Sequence, residues 1–101
     1  MKRVIVRYRV KPERVAENEE LVRGVYAELQ ETAPEGLRYG TFRLDDGVSF
    51  VHIAEHDDDN PLRRIVAFHR FQENIRERCD EPPVAVEMHE IGSYRLLEDE
   101  R

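Results

Sequence analysis

The chain has one cysteine, no tryptophan, five glycines and five prolines, and each shortage excludes something. With Cys79 alone, no internal disulfide forms, which fits a reducing cytosol and makes a cytoplasmic location the expectation. Cys79 also lacks a partner for a redox pair, and it reads as a structural residue on the apolar side of a helix. No stretch approaches the roughly 20 apolar residues of a membrane span, and no signal peptide is expected from the opening residues. Basic residues are the minority: 16 Lys and Arg against 22 Asp and Glu leave a net charge of −6. A nucleic-acid-binding face would need the opposite balance, so no nucleic acid is expected as partner. Also missing are a nucleophile elbow, a Gly-rich phosphate loop and an HExxH pair.

What is present is a periodic apolar pattern. Hydrophobic residues make up 40% of the chain and charged ones 38%, and the apolar ones recur at regular spacing, so a folded domain is expected rather than disorder. The length suits one domain, residues 1–101, with the tail 98–101 expected to fray.

The centre of the pattern is the stretch from Leu37 to Asp57, two β-rich runs around Asp46-Gly47. Asp-Gly is the strongest short hairpin signal, because a type I′ turn needs φ > 0 at both central residues. Counting outward pairs Arg43 with Phe50, Thr41 with His52 and Tyr39 with Ala54 on one face. On the other, Leu44 meets Ser49, Phe42 meets Val51, Gly40 meets Ile53 and Arg38 meets Glu55.

Upstream, Arg3 to Val10 alternate as a first strand, with Val4, Val6, Tyr8 and Val10 on one side. Lys11-Pro12-Glu13 opens a helix whose buried stripe is Val15, Val22, Val25, Tyr26, Leu29 and Ala33, and Pro34-Glu35-Gly36 ends it. Gly24 is a tolerated cost or a close-packing point. Downstream, Asn60 or Asp59 caps a second helix with Pro61 in its first turn; Ile65, Phe68, Phe71, Ile75 and Cys79 form its stripe. Asp80-Glu81-Pro82-Pro83 stops that helix. A last strand runs from Val84 to about Leu97, with Gly92 as a bulge or bend.

The order β-α-β-β-α-β predicts an α+β, ferredoxin-like domain: a four-stranded antiparallel sheet with both helices on one side. The hairpin is apolar on both faces, and one chain has helices for only one. A second copy is the economical cover, pairing sheet to sheet as a dimeric α+β barrel.

On these residues the chain resembles the dimeric α+β barrel superfamily, and within it the antibiotic-biosynthesis-monooxygenase-like group. The resemblance rests on the element order and on Val10-Lys11-Pro12-Glu13 leading into the first helix. Phe50-Val51-His52-Ile53-Ala54-Glu55-His56 carries it in the third strand, supported by Phe68 to Phe71 and by Ile91-Gly92-Ser93-Tyr94. It implies a homodimer and a cofactor-independent monooxygenase acting on a small aromatic or polyketide-like molecule, whose own stabilised carbanion reacts with dioxygen. The alternative is a non-catalytic ligand-binding or structural homodimer of the same fold. Heme handling is the weakest reading. Heme-degrading relatives use an Asn on the first strand, a Trp and a His on the second helix, and here Ile75 stands at that His position.

Polar residues inside apolar helical stripes are the candidate site, because a buried polar group needs a partner. Asn18 lies on the first stripe, Gln72 near the centre of the second and His69 at its border. With Tyr26 and Tyr8 they could converge on a small organic ligand, His69 as the base and Tyr26, Gln72, Asn18 and Tyr8 binding substrate. The competing reading is that each merely bonds a neighbour at the helix–sheet seam. No metal is expected: His52 and His56, four apart on a strand, lie roughly 13 Å from each other. Asp57-Asp58-Asp59-Asn60 lacks the glycine and distal glutamate of a calcium loop and reads as a helix cap. His52, opposite Thr41, reads as a hydrogen-bonded interface residue. Arg3, Arg7 and Arg9 read as solvated ion-pair partners, and Arg38 as the partner of Glu55.

Overall fold

The computed structural model describes residues 1–96; the frayed tail expected at 98–101 lies outside them. Strand β1 (Lys2–Val10) leads through a 3-10 turn (Pro12–Arg14) into helix α1 (Val15–Thr32). The hairpin β2 (Leu37–Arg43) and β3 (Ser49–His56) follows, then a second 3-10 turn (Pro61–Arg64), helices α2 (Val66–Gln72) and α3 (Ile75–Arg78), and strand β4 (Cys79–Glu87). The sheet order is β2-β3-β1-β4, antiparallel throughout. This is the ferredoxin-like arrangement expected from the element order. No helix is long and apolar enough to cross a membrane among the described residues.

The hairpin register is the one counted from the sequence: Arg43 with Phe50, Thr41 with His52, Tyr39 with Ala54, Phe42 with Val51. The turn itself is different. Asp46 keeps negative φ and only Gly47, at φ 80°, is left-handed, so the loop is not type I′. Gly47 N–H donates to the Leu44 carbonyl at 3.0 Å, and the Asp46 carboxylate accepts from Val48 N–H, Ser49 N–H and Ser49 Oγ. A side chain that accepts three hydrogen bonds holds the longer loop, and the register survives because both solutions share one centre of pairing.

The second helix is where periodicity misled. Residues 61–79 were expected as one helix, but Glu73 is extended and Asn74 left-handed (φ 58°), so α2 and α3 are separate pieces. The break resets the helical phase. Cys79 becomes the first residue of β4, not the last of a helix. Gln72, expected near the middle of the stripe, is exposed; the buried residues of α2 are Ala67 and Phe71, four apart.

β4 also begins earlier than expected and ends at Glu87, leaving Gly92 beyond it. The irregularity lies instead opposite Arg7 to Val10, where the register shifts twice and β4 accommodates Pro82 and Pro83. Prolines cannot donate to a ladder, and here both fall within the first of these shifts, on an edge strand. At the end of α1, Ala33 is left-handed and exposed, closing the helix through its N–H to the Leu29 carbonyl at 2.7 Å. Gly24 faces α2, a Cβ there standing 3.9 Å from Ala67 Cβ. That is ordinary contact, so the glycine is not forced by space.

The core lies between helices and sheet: Tyr8, Val10, Val25, Phe50, Leu62, Ile65, Phe71 and Cys79 are buried in it. The other face carries Ile5, Phe42, Val51, Ile53, Val84 and Val86 by strand alternation. Of these Phe42 is 41% exposed, Val86 54% and Val84 61%. Glu55 pairs there with Arg3, its partner on β1, rather than with Arg38.

Candidate functional site

A chain of hydrogen-bonded side chains crosses the interior. β1 points Tyr8 at the helices, where it stacks on Phe50 with ring centroids 5.5 Å apart. β3 points His52 the same way, one strand over. The Tyr8 hydroxyl and His52 Nε2 are 2.8 Å apart. On the far side of the imidazole, Nδ1 lies 2.7 Å from the Tyr39 hydroxyl and 3.2 Å from Thr41 Oγ1, and Tyr26 of α1 bonds Thr41 at 2.8 Å. At the other end Asn18 Nδ2 donates to the Tyr8 oxygen at 3.0 Å, and Arg78 Nε donates to Asn18 Oδ1 at 3.2 Å. Asn18 and Tyr26 are eight residues apart on α1, a rise of about 12 Å. The chain of polar groups runs alongside that interval from Arg78 to Tyr26.

Every member is satisfied: among the described residues no buried side-chain nitrogen or oxygen lacks a partner. Arg78 is 2% exposed. Its remaining donors reach the Glu73 carbonyl at 3.1 Å and the Phe71 carbonyl at 2.7 Å, and its guanidinium lies over the Phe71 ring. A cation at the carbonyl end of α2 meets the negative end of that helix. Burial weakens the hold of Arg78 on its charge, lowering its pKa, while Glu17 opposes the shift.

Burial also lowers the His52 pKa to about 4, so the ring is neutral at pH 7. The same loss of water raises the pKa of Tyr8, Tyr39 and Tyr26. These phenols are hydrogen-bonding groups near neutrality, not phenolates.

A cleft of about 220 Å³, open to solvent, lies against one end of the chain, lined by Tyr26, Leu29, Gln30, Ala33, Pro34, Leu37 and Tyr39. Leu29, Ala33, Pro34 and Leu37 give it apolar walls, and it shares Tyr26 and Tyr39 with the hydrogen-bonded chain. Ligand pockets for drug-sized molecules are typically larger, roughly 300–1,000 Å³, so the space suits one or two rings.

Of the five residues expected from sequence, Tyr8, Asn18 and Tyr26 belong to this network. His69 and Gln72 do not: both are exposed on α2, and His69 Nε2 bonds the Arg63 carbonyl at 2.6 Å. Tyr39, His52 and Arg78 were missed as site residues. The first two were legible, since the Thr41–His52 cross-strand pair places Tyr39 on the same face two residues away. Arg78 carried no signal, because an unbroken helix would have put it elsewhere. Of the two caps offered by the sequence, Asn60 acts, accepting from Leu62 N–H at 3.0 Å, and what it caps is the 3-10 turn rather than a helix. Ile75 packs against the core as a partly buried hydrocarbon side chain.

No protein-family model matches the sequence, and no curated protein matches it. Solved structures do match in shape. A crystal structure of an antibiotic biosynthesis monooxygenase is 25% identical, with a TM-score of 0.72 over 91% of this chain and 100% of that one. A conserved protein from Methanosarcina mazei Go1 is 22% identical, with a TM-score of 0.69 over 86% of this chain and 89% of that one. A variant of SnoaB, a cofactor-independent oxygenase from Streptomyces nogalater, is 21% identical, with a TM-score of 0.64 over 91% of this chain and 94% of that one. The resemblance to the antibiotic-biosynthesis-monooxygenase-like group of the dimeric α+β barrel superfamily, read from soft patterns in the sequence, therefore holds at the level of the fold.

Proposed function

We propose that the protein binds a small aromatic molecule in the cleft between α1 and β2 and acts on it as a cofactor-independent oxygenase. The observation that carries this reading is the sharing of Tyr26 and Tyr39 between the apolar cleft and the buried hydrogen-bonded chain. An apolar site with a few directed polar groups is what a small organic ligand requires. The two tyrosines hold and orient the ring, and the wall of Leu29 and Leu37 excludes water from one side of it. In the chemistry that the resemblance implies, a ring methylene loses a proton and the carbanion transfers electrons to dioxygen. One oxygen atom ends as a ring carbonyl and the other as water. The exposed position of His69 gives no support to its role as the base.

The test is oxygen uptake in buffer free of metal and flavin, with anthrone and 2-tetralone as trial substrates. Wild-type protein should accelerate uptake over buffer, and Tyr39→Phe should lose most of the gain. Absence of acceleration with both compounds would reject the oxygenase reading in favour of a second one, a non-catalytic homodimer. That alternative is supported by the packing of Tyr8, Phe50, Phe68, Phe71 and Tyr39 ring to ring through the space between helices and sheet.

Two copies of the chain, in the same proposal, pair through the helix-free sheet face. Its support is the row of Ile5, Phe42, Val51, Ile53, Val84 and Val86, an apolar face that one chain leaves uncovered. The single cysteine agrees with a cytoplasmic setting.

A further inference from the structure

The buried chain has a direction, and Arg78 sets it. A guanidinium donates and never accepts, so the Asn18 atom that faces Arg78 Nε must be the carbonyl oxygen. That leaves the Asn18 amide as donor to the Tyr8 oxygen. Tyr8 is 2% exposed, and among the described residues its own proton has a buried acceptor only in His52 Nε2, 2.8 Å away. An imidazole that accepts at Nε2 and is neutral carries its hydrogen on Nδ1. That hydrogen is then shared by the oxygens of Tyr39 and Thr41. The opposite order would aim two donors at the Tyr8 oxygen and strand the Tyr8 proton in the core, at the full desolvation cost of an unpaired hydroxyl.

Beyond His52 stand three hydroxyls in a row, those of Tyr39, Thr41 and Tyr26. They hold three protons, and one bond joins two of the hydroxyls, Tyr26 to Thr41. Two protons are then in excess at this end, where Tyr26 and Tyr39 line the cleft. With the imidazole reversed, Tyr39 or Thr41 would spend a proton on Nδ1, and this end would have one donor fewer to offer.

We propose that Arg78 is a positioning residue that, through Asn18 and Tyr8, holds His52 in its Nδ1–H form. The cleft thereby presents a hydrogen-bond donor, and the ligand it takes carries a carbonyl, enolate or phenolate oxygen. The part concerning the ligand rests on the cleft being the substrate site. A donor held there favours charge on that oxygen, which makes the adjacent ring C–H easier to ionise. The released proton passes to water at the open mouth, and the electron pair stays on the substrate.

The decisive measurement is long-range 1H–15N NMR of the His52 ring at pH 7. The expected spectrum has a pyrrole-type Nδ1 and a pyridine-type Nε2. A protonated Nε2 in the wild-type protein would overturn the proposal, whatever the protein binds. In Arg78→Met, and in Tyr8→Phe as a milder change that leaves the guanidinium in place, the Nδ1–H form should give way to a mixture. An unchanged ring in a folded Tyr8→Phe protein would also overturn the proposal.

The ligand half is read by titrating 1-tetralone against the hydrocarbon tetralin while following the Tyr26 and Tyr39 signals. Tetralone should bind about tenfold tighter, the worth of one good neutral hydrogen bond, and Tyr8→Phe should narrow that ratio. Equal affinities would reject the donor-presenting cleft. Failure of oxygen uptake with the expected tautomer intact would reject the oxygenase reading alone.

Discussion

Glu28 of α1 caps Ala67 of α2 across the helix pair. Its carboxylate accepts from the Ala67 N–H at 2.8 Å and from the Val66 N–H at 3.0 Å. The residue at the start of α2, Ile65, has no side chain able to do this. A negative group from a neighbouring helix supplies the cap instead, at the end where the helix dipole favours it.

Replacing Glu28 by Ala should therefore cost about 0.5–2 kcal/mol, the usual range for a lost cap. Urea unfolding gives the energy. Amide exchange locates it, since the Val66 and Ala67 amides should lose protection before the rest of the core. Unchanged protection at those two amides would show that they are held by something else.

His52 should make the protein acid-sensitive over a definite window. Its pKa is lowered from 6.5 to about 4 by burial, so below 6.5 the unfolded chain takes up the proton and the folded chain does not. The contribution is absent above about pH 6.5, grows as pH falls and is complete near pH 4. Its size is about 3 kcal/mol, since each tenfold difference in proton affinity between the folded and unfolded chain is worth about 1.4 kcal/mol. The sign is a loss of stability on acidification. Subtracting the pH profile of His52→Gln from that of the wild type should isolate it, and parallel profiles between pH 4 and 7 would refute it.

Arg78→Lys keeps a cation and loses the fork. Lys cannot reach Asn18 Oδ1 and the carbonyls of Phe71 and Glu73 together, as the guanidinium does. We expect a loss of about 1.5–3 kcal/mol, the worth of one charge-assisted bond left unmade in a buried place. Chemical denaturation of the two proteins measures it. A loss within error would mean that the ammonium repairs the network.

The helix-free face predicts an oligomeric state. Light scattering behind size exclusion should give twice the chain mass at micromolar concentration for the wild type. Phe42→Glu or Val86→Lys, each placing a charge on an exposed apolar position, should give monomers with unchanged helix content. A wild-type monomer under those conditions would remove the proposed pairing.

His69 and His52 make opposite predictions for activity. His69 is exposed and bonded to a backbone carbonyl, so His69→Ala should alter any oxygen uptake less than twofold. His52→Gln, which disrupts the connection between Tyr8 and Tyr39, should lower it by about tenfold or more, the loss expected of about 1.4 kcal/mol in transition-state stabilisation. The reverse result would make His69 the base.

Much of this was written in local pattern. The alternation of Val4, Val6, Tyr8 and Val10, the pairing outward from Asp46-Gly47 and the prolines at both helix starts each depend on neighbours a few residues away. Periodicity reports those neighbours faithfully. It set the order of elements, the hairpin register and the face on which Thr41 meets His52. The resemblance to the oxygenase fold followed from the same features.

What the linear pattern could not settle depends on groups brought from far along the chain. The helix break at Glu73-Asn74 turned Gln72 outward and brought Arg78 inward, and both α2 and α3 are too short for a hydrophobic stripe to fix their phase. Asn18, Tyr8, His52 and Arg78 are unremarkable apart; only packing removes the water that each would otherwise bond. Once that water is gone, a donor-only guanidinium at one end dictates the direction of each hydrogen bond as far as the His52 ring. Solvated side chains turn freely, and direction of that kind exists only in the assembled interior.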